Sequence, residues 1–320
     1  MRTVTDDGVR GELPEFEQMA DPSSFRWEKL RGDVFFAKIE AANEEAVHWR
    51  RNIFSVPSEK AGKMFVAELT RLYDAYATSS AMECVALSAA SVLCMLLLQK
   101  PQQKSKARDH TVCLERRMKL WKGGEIYELR REGQTIQGRL RSGKSWRSAS
   151  DITRTFTNLM LQGRVASAMR VISKESTGVL ELDANLSGKT VREILKEKHP
   201  EGADAEFESL LRPDEGPTAP HPVIFDELTG PAIKAAALRT FGSTGPTGID
   251  ASGWKRLCPS FHGASRSLCD AVAAVARRLA TSYVDPDGLA PLTACRLCPL
   301  DKRPGVRPIG IAEVPRRIVW

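Results

Sequence analysis

A chain of 320 residues with 42% apolar side chains is long enough for two or three domains and apolar enough to build a core, which argues against disorder throughout. Its net charge of +7 is unevenly spread: between Gln99 and Ala149 fourteen Lys/Arg stand against five acids, a net of +9, so the remainder is slightly acidic. Seven scattered cysteines and a start (MRTVTDDGVRGELPEFEQ) without a basic-then-apolar signal argue against a disulfide framework and for an intracellular protein, cytoplasmic or nuclear, with reduced thiols.

Residues 1–20 read as a flexible tail, and 21–99 as a helical region. Helices are expected over Phe25 to Ile39, Ala41 to Ile53, Ala61 to Tyr76 and Cys84 to Leu98. In the third, Met64, Phe65, Leu69, Leu72, Tyr73 and Tyr76 recur at helical spacing, the stripe of a helix packed on a core. His48-Trp49-Arg50-Arg51 could touch a phosphate backbone, but a helix with Trp49 inward and both arginines in water is the preferred reading. The apolar run Cys84 to Leu98 is shorter than the ~20 residues that cross a bilayer, so a buried helix and no membrane association are expected.

Residues 100–150 read as a basic linker, partly disordered, with Trp121, Tyr127 and Trp146 interleaved. Basic surfaces with aromatics track nucleic-acid strands without reading sequence; a solvated basic face is the plainer alternative. Within this stretch Gly138-Arg-Leu-Arg-Ser-Gly143-Lys144-Ser145 fits the phosphate-loop pattern, and Val223 to Glu227 offers a passable partner strand. The residues before it, Arg131 to Gln137, are polar where a buried strand is needed, so a P-loop NTPase is only a minor alternative.

Residues 151–200 read as a helical linker domain and 201–222 as a Pro-rich linker. Beyond them, Pro231 to Thr240 is expected to be a short helix with proline in its first turn. Gly242, Gly245 and Gly248 around Pro246 make a turn that lets another chain approach closely. Asp250 or Ser252 caps a helix carrying Trp254 and Leu257, and Ser265 to Tyr283 forms a longer one that ends at Asp285-Pro-Asp-Gly288. Ala294 to Leu300 and Val306 to Ile311 flank Asp301-Lys302-Arg303-Pro304-Gly305, the pattern of a β-hairpin with a charged tip. From Arg296 onward six Lys/Arg oppose two acids, which suits a polyanionic partner. The fold class is therefore mainly α-helical with a small C-terminal α+β segment.

Cys295-x-x-Cys298 has no second paired knuckle, only Cys258, His262 and Cys269 upstream, and residues three apart on a strand face opposite sides. Two hydrophobe-like cysteines and no metal site are expected. None of the five histidines sits in a nucleophile motif, so no catalytic residue is assigned.

The string PLDKRPGVRPIGIAEVPRRIV, Pro299 to Val319, resembles the fingers segment of reverse transcriptases encoded by animal retroelements. GSTGPTGID, Gly242 to Asp250, followed by Trp254-Lys255-Arg256, resembles the turn ahead of that segment in non-LTR members. The similarity covers Val223 to Val319, which would make 223–320 part of a fingers region. It implies an RNA-directed DNA polymerase relative, with Lys302 near triphosphate or template and Arg307 near the incoming nucleotide. Arg303 adds charge at the tip, Arg316 and Arg317 complete a nucleic-acid-binding set, and Gly245, Gly248 and Gly305 are turn residues. RNA or DNA, held weakly and electrostatically, is the implied partner, and no specific protein partner follows.

A complete polymerase of this family would use magnesium on palm aspartates. No aromatic-x-Asp-Asp string occurs here, and Tyr283-Val-Asp285-Pro-Asp287 has the wrong spacing, so no cofactor is expected of this chain. The expectation is an N-terminal part of a reverse-transcriptase-like polypeptide, truncated within the fingers and inactive as it stands, with residual nucleic-acid binding. A non-catalytic helical scaffold or interaction protein is the alternative from another class.

Overall fold

A helix that is apolar on every side must be surrounded by other elements, and that condition organises this protein. The computed structural model describes residues 33–78, 83–102, 104–142, 149–172, 179–199, 223–282, 284–302 and 305–319. The apolar run forms α3 (Glu83–Leu97), and from Val85 to Gln99 only Ser88 and Ser91 reach solvent even in part. Around it pack α1 (Asp33–Ala46), α2 (Lys60–Ala77), α4 (Ala107–Lys122) and α5 (Ile126–Ser142). No helix among the described residues is long and apolar enough to cross a membrane. On α2 the expected stripe is buried from Phe65 to Tyr76, while Met64 is half-buried.

The helix expected over Ala41 to Ile53 is the end of α1, which stops at Ala46, and residues 25–32 lie outside the described residues. The chain then turns so that Trp49 is buried against Gly133 of α5, where a Cβ would come 2.1 Å from the indole. Ile53 pairs antiparallel with Gln99. The Phe54 N–H donates to the Leu98 carbonyl at 2.9 Å and the Lys100 N–H to the Asn52 carbonyl at 2.7 Å, satisfying backbone that no longer has a helix to do so.

The stretch expected to be a basic linker is instead a helix pair built into the core, because half of its large residues face inward. Leu114, Met118 and Trp121 are fully buried, and the Trp121 indole donates to the buried Glu68 at 2.9 Å. Arg117, 1% exposed, donates to the Leu97 and Gln99 carbonyls at 2.8 and 2.6 Å and to Glu132 at 2.8 Å. It thereby fills orphan acceptors at the C-terminus of α3. Gly138 to Ser142 belong to α5, so the backbone that a phosphate loop would turn toward its ligand is committed to helical hydrogen bonds. Gly143, Lys144, Ser145 and Trp146 lie outside the described residues.

Next come α6 (Ala149–Leu161) and α7 (Val165–Ile172), which pack on each other. A minimal hairpin follows, β1 (Asn185–Leu186) and β2 (Lys189–Thr190), leading into α8 (Val191–Lys198). Thr190 and Glu193 form a capping box there. The expected tail 1–20 and the Pro-rich linker 201–222 lie outside the described residues.

The remaining elements are α9 (Val223–Asp226), α10 (Gly230–Arg239), α11 (Ala251–Leu257), α12 (Gly263–Thr281), α13 (Pro286–Thr293), β3 (Cys295–Asp301), β4 (Val306–Ala312) and α14 (Val314–Val319). Val223 thus opens a helical turn, not a strand. Asp285 to Gly288, expected to be a turn, leads into α13, since Pro286 suits a first helical position. That helix lies on α3, and α12 lies along α2. One hydrophobic core consequently runs from Phe35 to Ile318, joining regions that the sequence divides.

The hairpin closes in the register Cys295↔Ala312 to Asp301↔Val306, within one residue of the expected strand ends. Its outer edge is extended by Val179, which pairs with Leu300, while the Leu180 N–H donates to the Pro299 carbonyl at 2.8 Å. Val191 and Leu195 of α8 pack on Val306. The second half of the 151–200 segment is therefore part of the hairpin's support.

Candidate nucleic-acid interface

Hairpin geometry carries Lys302 and Arg307 to the far end of β3 and β4. The Lys302 N–H donates to the Gly305 carbonyl at 2.9 Å, and Gly305 takes φ +105°, a conformation that strains any residue with a side chain. Both Lys302 and Arg307 are exposed, and among the described residues neither has an ion-pair partner. Arg303 lies outside the described residues. The tip is thus held at its base by paired strands and offers cations at its end.

Arg316 and Arg317, expected in the nucleic-acid-binding set, are both anchored to backbone carbonyls. Arg317 donates to the Phe241 and Ser243 carbonyls at 2.8 and 2.5 Å, and Arg316 to the Thr293 carbonyl at 3.1 Å. A guanidinium is always charged, and hydrogen bonds to a charged donor are the strong ones. These two arginines fasten the helix after the hairpin to the chain before it.

The glycine turn and the hairpin strand meet at Glu313. Its carboxylate, 2% exposed, accepts from the Thr247 backbone N–H at 2.6 Å and the Thr247 hydroxyl at 2.8 Å. A Cβ on Gly245 would stand 2.8 Å from the Glu313 carboxyl carbon, so this turn can approach only without a side chain there. Gly248 has φ +88° and faces Ile53. Burial pushes the Glu313 carboxyl above its ordinary range, although the Thr247 donors and the positive Arg296 and Arg317 pull the other way. Arg296 also donates to the Pro246 carbonyl at 3.4 Å. The two motifs that carry the sequence resemblance, 66 residues apart, are therefore one substructure.

Nearby, the ring of Phe241 is 77% exposed, and the Lys255 ammonium lies 3.7 Å from its centroid. An exposed aromatic beside a cation is the pairing that stacks a base and meets its phosphate. Sequence reasoning missed both Phe241 and Glu313, because a single Phe in a loop and a single Glu in a strand end carry no periodic signal. Of the two expected caps, Asp250 and Ser252, it is Asp250 that serves: it accepts from the Gly253 N–H at 2.9 Å and pairs with Arg51 at 2.6 Å. Burial would raise its carboxyl, but those donors hold it below the ordinary range.

On α4 and α5 the cationic surface is smaller than the sequence count. Arg116 and Arg117 share Glu132, and Arg130 pairs with Glu45 at 2.5 Å. Trp121 is in the core, leaving Tyr127, 64% exposed, as the surface aromatic on these helices.

Cys295 is exposed and Cys298 half-buried, on opposite faces of β3, so the expected hydrophobe-like packing fails for Cys295. Among the described residues no group of three His, Cys, Asp or Glu side chains is placed to hold a metal ion. Glu313, the buried carboxylate near the hairpin, is taken up by Thr247. Among the described residues, those near the hairpin do not fit the magnesium of a complete polymerase.

No family profile, curated protein or solved structure matched this chain.

Proposed function

We propose that this protein is a reverse-transcriptase-like chain whose C-terminal region binds RNA or DNA through its phosphates, without itself polymerising. The observation that carries the reading is the hairpin: two exposed cations, Lys302 and Arg307, at the end of a rigid arm whose base is fastened through Thr247, Glu313 and Arg317. Binding of this kind is electrostatic, because each phosphate neutralised releases a counterion. Phe241 with Lys255 supplies a stacking surface on the same region.

The test is fluorescence anisotropy of a labelled single-stranded RNA over a salt series. Lys302→Ala with Arg307→Ala should weaken binding at every salt concentration. It should also flatten the slope of log affinity against log salt by about 1.4, roughly 0.7 per lost phosphate contact. Binding that is unchanged in the double variant sinks the reading. A helical scaffold is the second reading, favoured by exposed Leu161, Val165 and Met169 on the α6–α7 pair. Indifference to RNA with salt-insensitive binding to a protein would support it.

A further inference from the structure

Cys258 is the residue at the C-terminus of α11, and Cys269 lies in the second turn of α12. The link between the helices is folded back on itself by Ser265. Its hydroxyl donates to the Leu257 carbonyl at 2.6 Å and accepts from the Phe261 N–H at 2.8 Å. This brings the Cys269 Sγ to 3.8 Å from the Cys258 carbonyl oxygen, with the two thiols within hydrogen-bonding reach of each other. Both are reduced and both line a surface cavity of about 480 Å³ together with Lys234, His262, Arg266 and Asp270.

We propose that Cys258 and Cys269 are a redox-sensitive dithiol, a modification site at which a small hydroperoxide closes the pair to a disulfide. The cavity admits the oxidant to sulfurs that are otherwise covered; on its wall Lys234 favours the thiolate that must attack, while Asp270 opposes it. Because each thiol can donate to the other, the pair gives up its first proton more readily than an isolated thiol and holds its second more strongly. Burial acts in the same direction on the second proton; on the first, burial and Asp270 oppose its loss and Lys234 assists it, so the hydrogen bond from Cys258 is what releases it.

The step balances as follows. A Cys269 thiolate attacks the terminal oxygen of the hydroperoxide; an S–O bond forms, the O–O bond breaks, and the alcohol leaves with the thiol's proton. Cys258 sulfur then attacks the sulfenic sulfur, forming the S–S bond and breaking S–O, and hydroxide departs with the second thiol proton as water. The two thiols lose two electrons and the peroxide gains them. Among the described residues Cys94 and Cys113 have no thiol neighbour of this kind, and burial pushes both upward.

The experiment uses the whole chain with every cysteine in place, treated with tert-butyl hydroperoxide. The protein is then unfolded, alkylated with a maleimide, digested and analysed by mass spectrometry. The expected product is a Cys258–Cys269 cross-linked peptide, lighter by two hydrogen atoms and released by dithiothreitol. It should form about ten-fold faster than any oxidation at Cys94 or Cys113. Recovery of Cys258 and Cys269 as maleimide adducts, under conditions that have oxidised the exposed Cys295, overturns the proposal. In Cys258→Ser the sulfenic form of Cys269 should persist and be trapped by dimedone; a variant that is folded by circular dichroism and traps none counts against it equally.

Discussion

Thr247 gives both of its donors, backbone N–H and hydroxyl, to the two oxygens of the buried Glu313 carboxylate, at 2.6 and 2.8 Å. The contact joins a glycine turn to the end of a strand far along the chain. Removing the acceptor leaves an N–H and an O–H buried without partners, and hydrogen bonds to a charge are worth about 1.5–3 kcal/mol each. Glu313→Ala should therefore destabilise the protein by roughly 3 kcal/mol, and Glu313→Gln by less, as measured by urea unfolding.

The same carboxylate sets a pH dependence of unusual sign. Burial raises its folded-state pKa above the unfolded value, so the native state binds the extra proton. Its destabilising charge is fully present above the folded pKa and disappears as pH falls through it toward the unfolded value. Relative to Glu313→Gln, the native protein should gain stability as pH is lowered from neutral through that window. An opposite slope would show that the Thr247 donors outweigh burial.

Glu132 behaves in the ordinary way. Burial would raise it, but hydrogen bonds and charge from Arg117 and Arg116 hold it below the usual carboxylate range. Its contribution is present above the unfolded pKa and lost as pH falls through the folded one. Arg117→Met should flatten this acid limb in urea titrations. It should also cost about 3 kcal/mol, because the Leu97 and Gln99 carbonyls lose their donor.

Two glycines separate close approach from backbone conformation. Gly245→Ala places a Cβ 2.8 Å from the Glu313 backbone nitrogen and carboxyl carbon, which should cost about 2 kcal/mol or more and disturb the turn. Gly305→Ala meets only the Lys302 carbonyl, at an ordinary 3.8 Å, but carries φ +105°, so its cost is local strain of about 1 kcal/mol, with the rest of the core unchanged. Thermal unfolding of the two variants should rank them in that order.

Arginines alike in sequence should part in experiment. Arg317→Ala should lower the melting temperature, because the Phe241 and Ser243 carbonyls lose a charged donor. Arg307→Ala should leave melting unchanged and act on RNA affinity alone. Equal melting temperatures for the two variants would remove the structural role given to Arg317.

What the chain settles by itself is whatever neighbouring residues decide among themselves. The hairpin was legible because alternation and a Pro-Gly tip are contained in 295–312, and the cap at Asp250 because its side chain bonds an N–H three residues on. The fifteen-residue apolar run announced α3 for the same reason. Tertiary structure alone decided what the basic stretch is for. Arg117 and Trp121 look like surface residues of a charged segment until the carbonyl ends of α3 and the carboxylate of Glu68 are brought to them. Likewise Glu313 becomes a buried clamp, and Arg317 a brace, only because Thr247 and Phe241 arrive from more than sixty residues away. A local pattern fixes which way a backbone runs; the partner of a buried charge is fixed by which distant backbone comes to rest beside it.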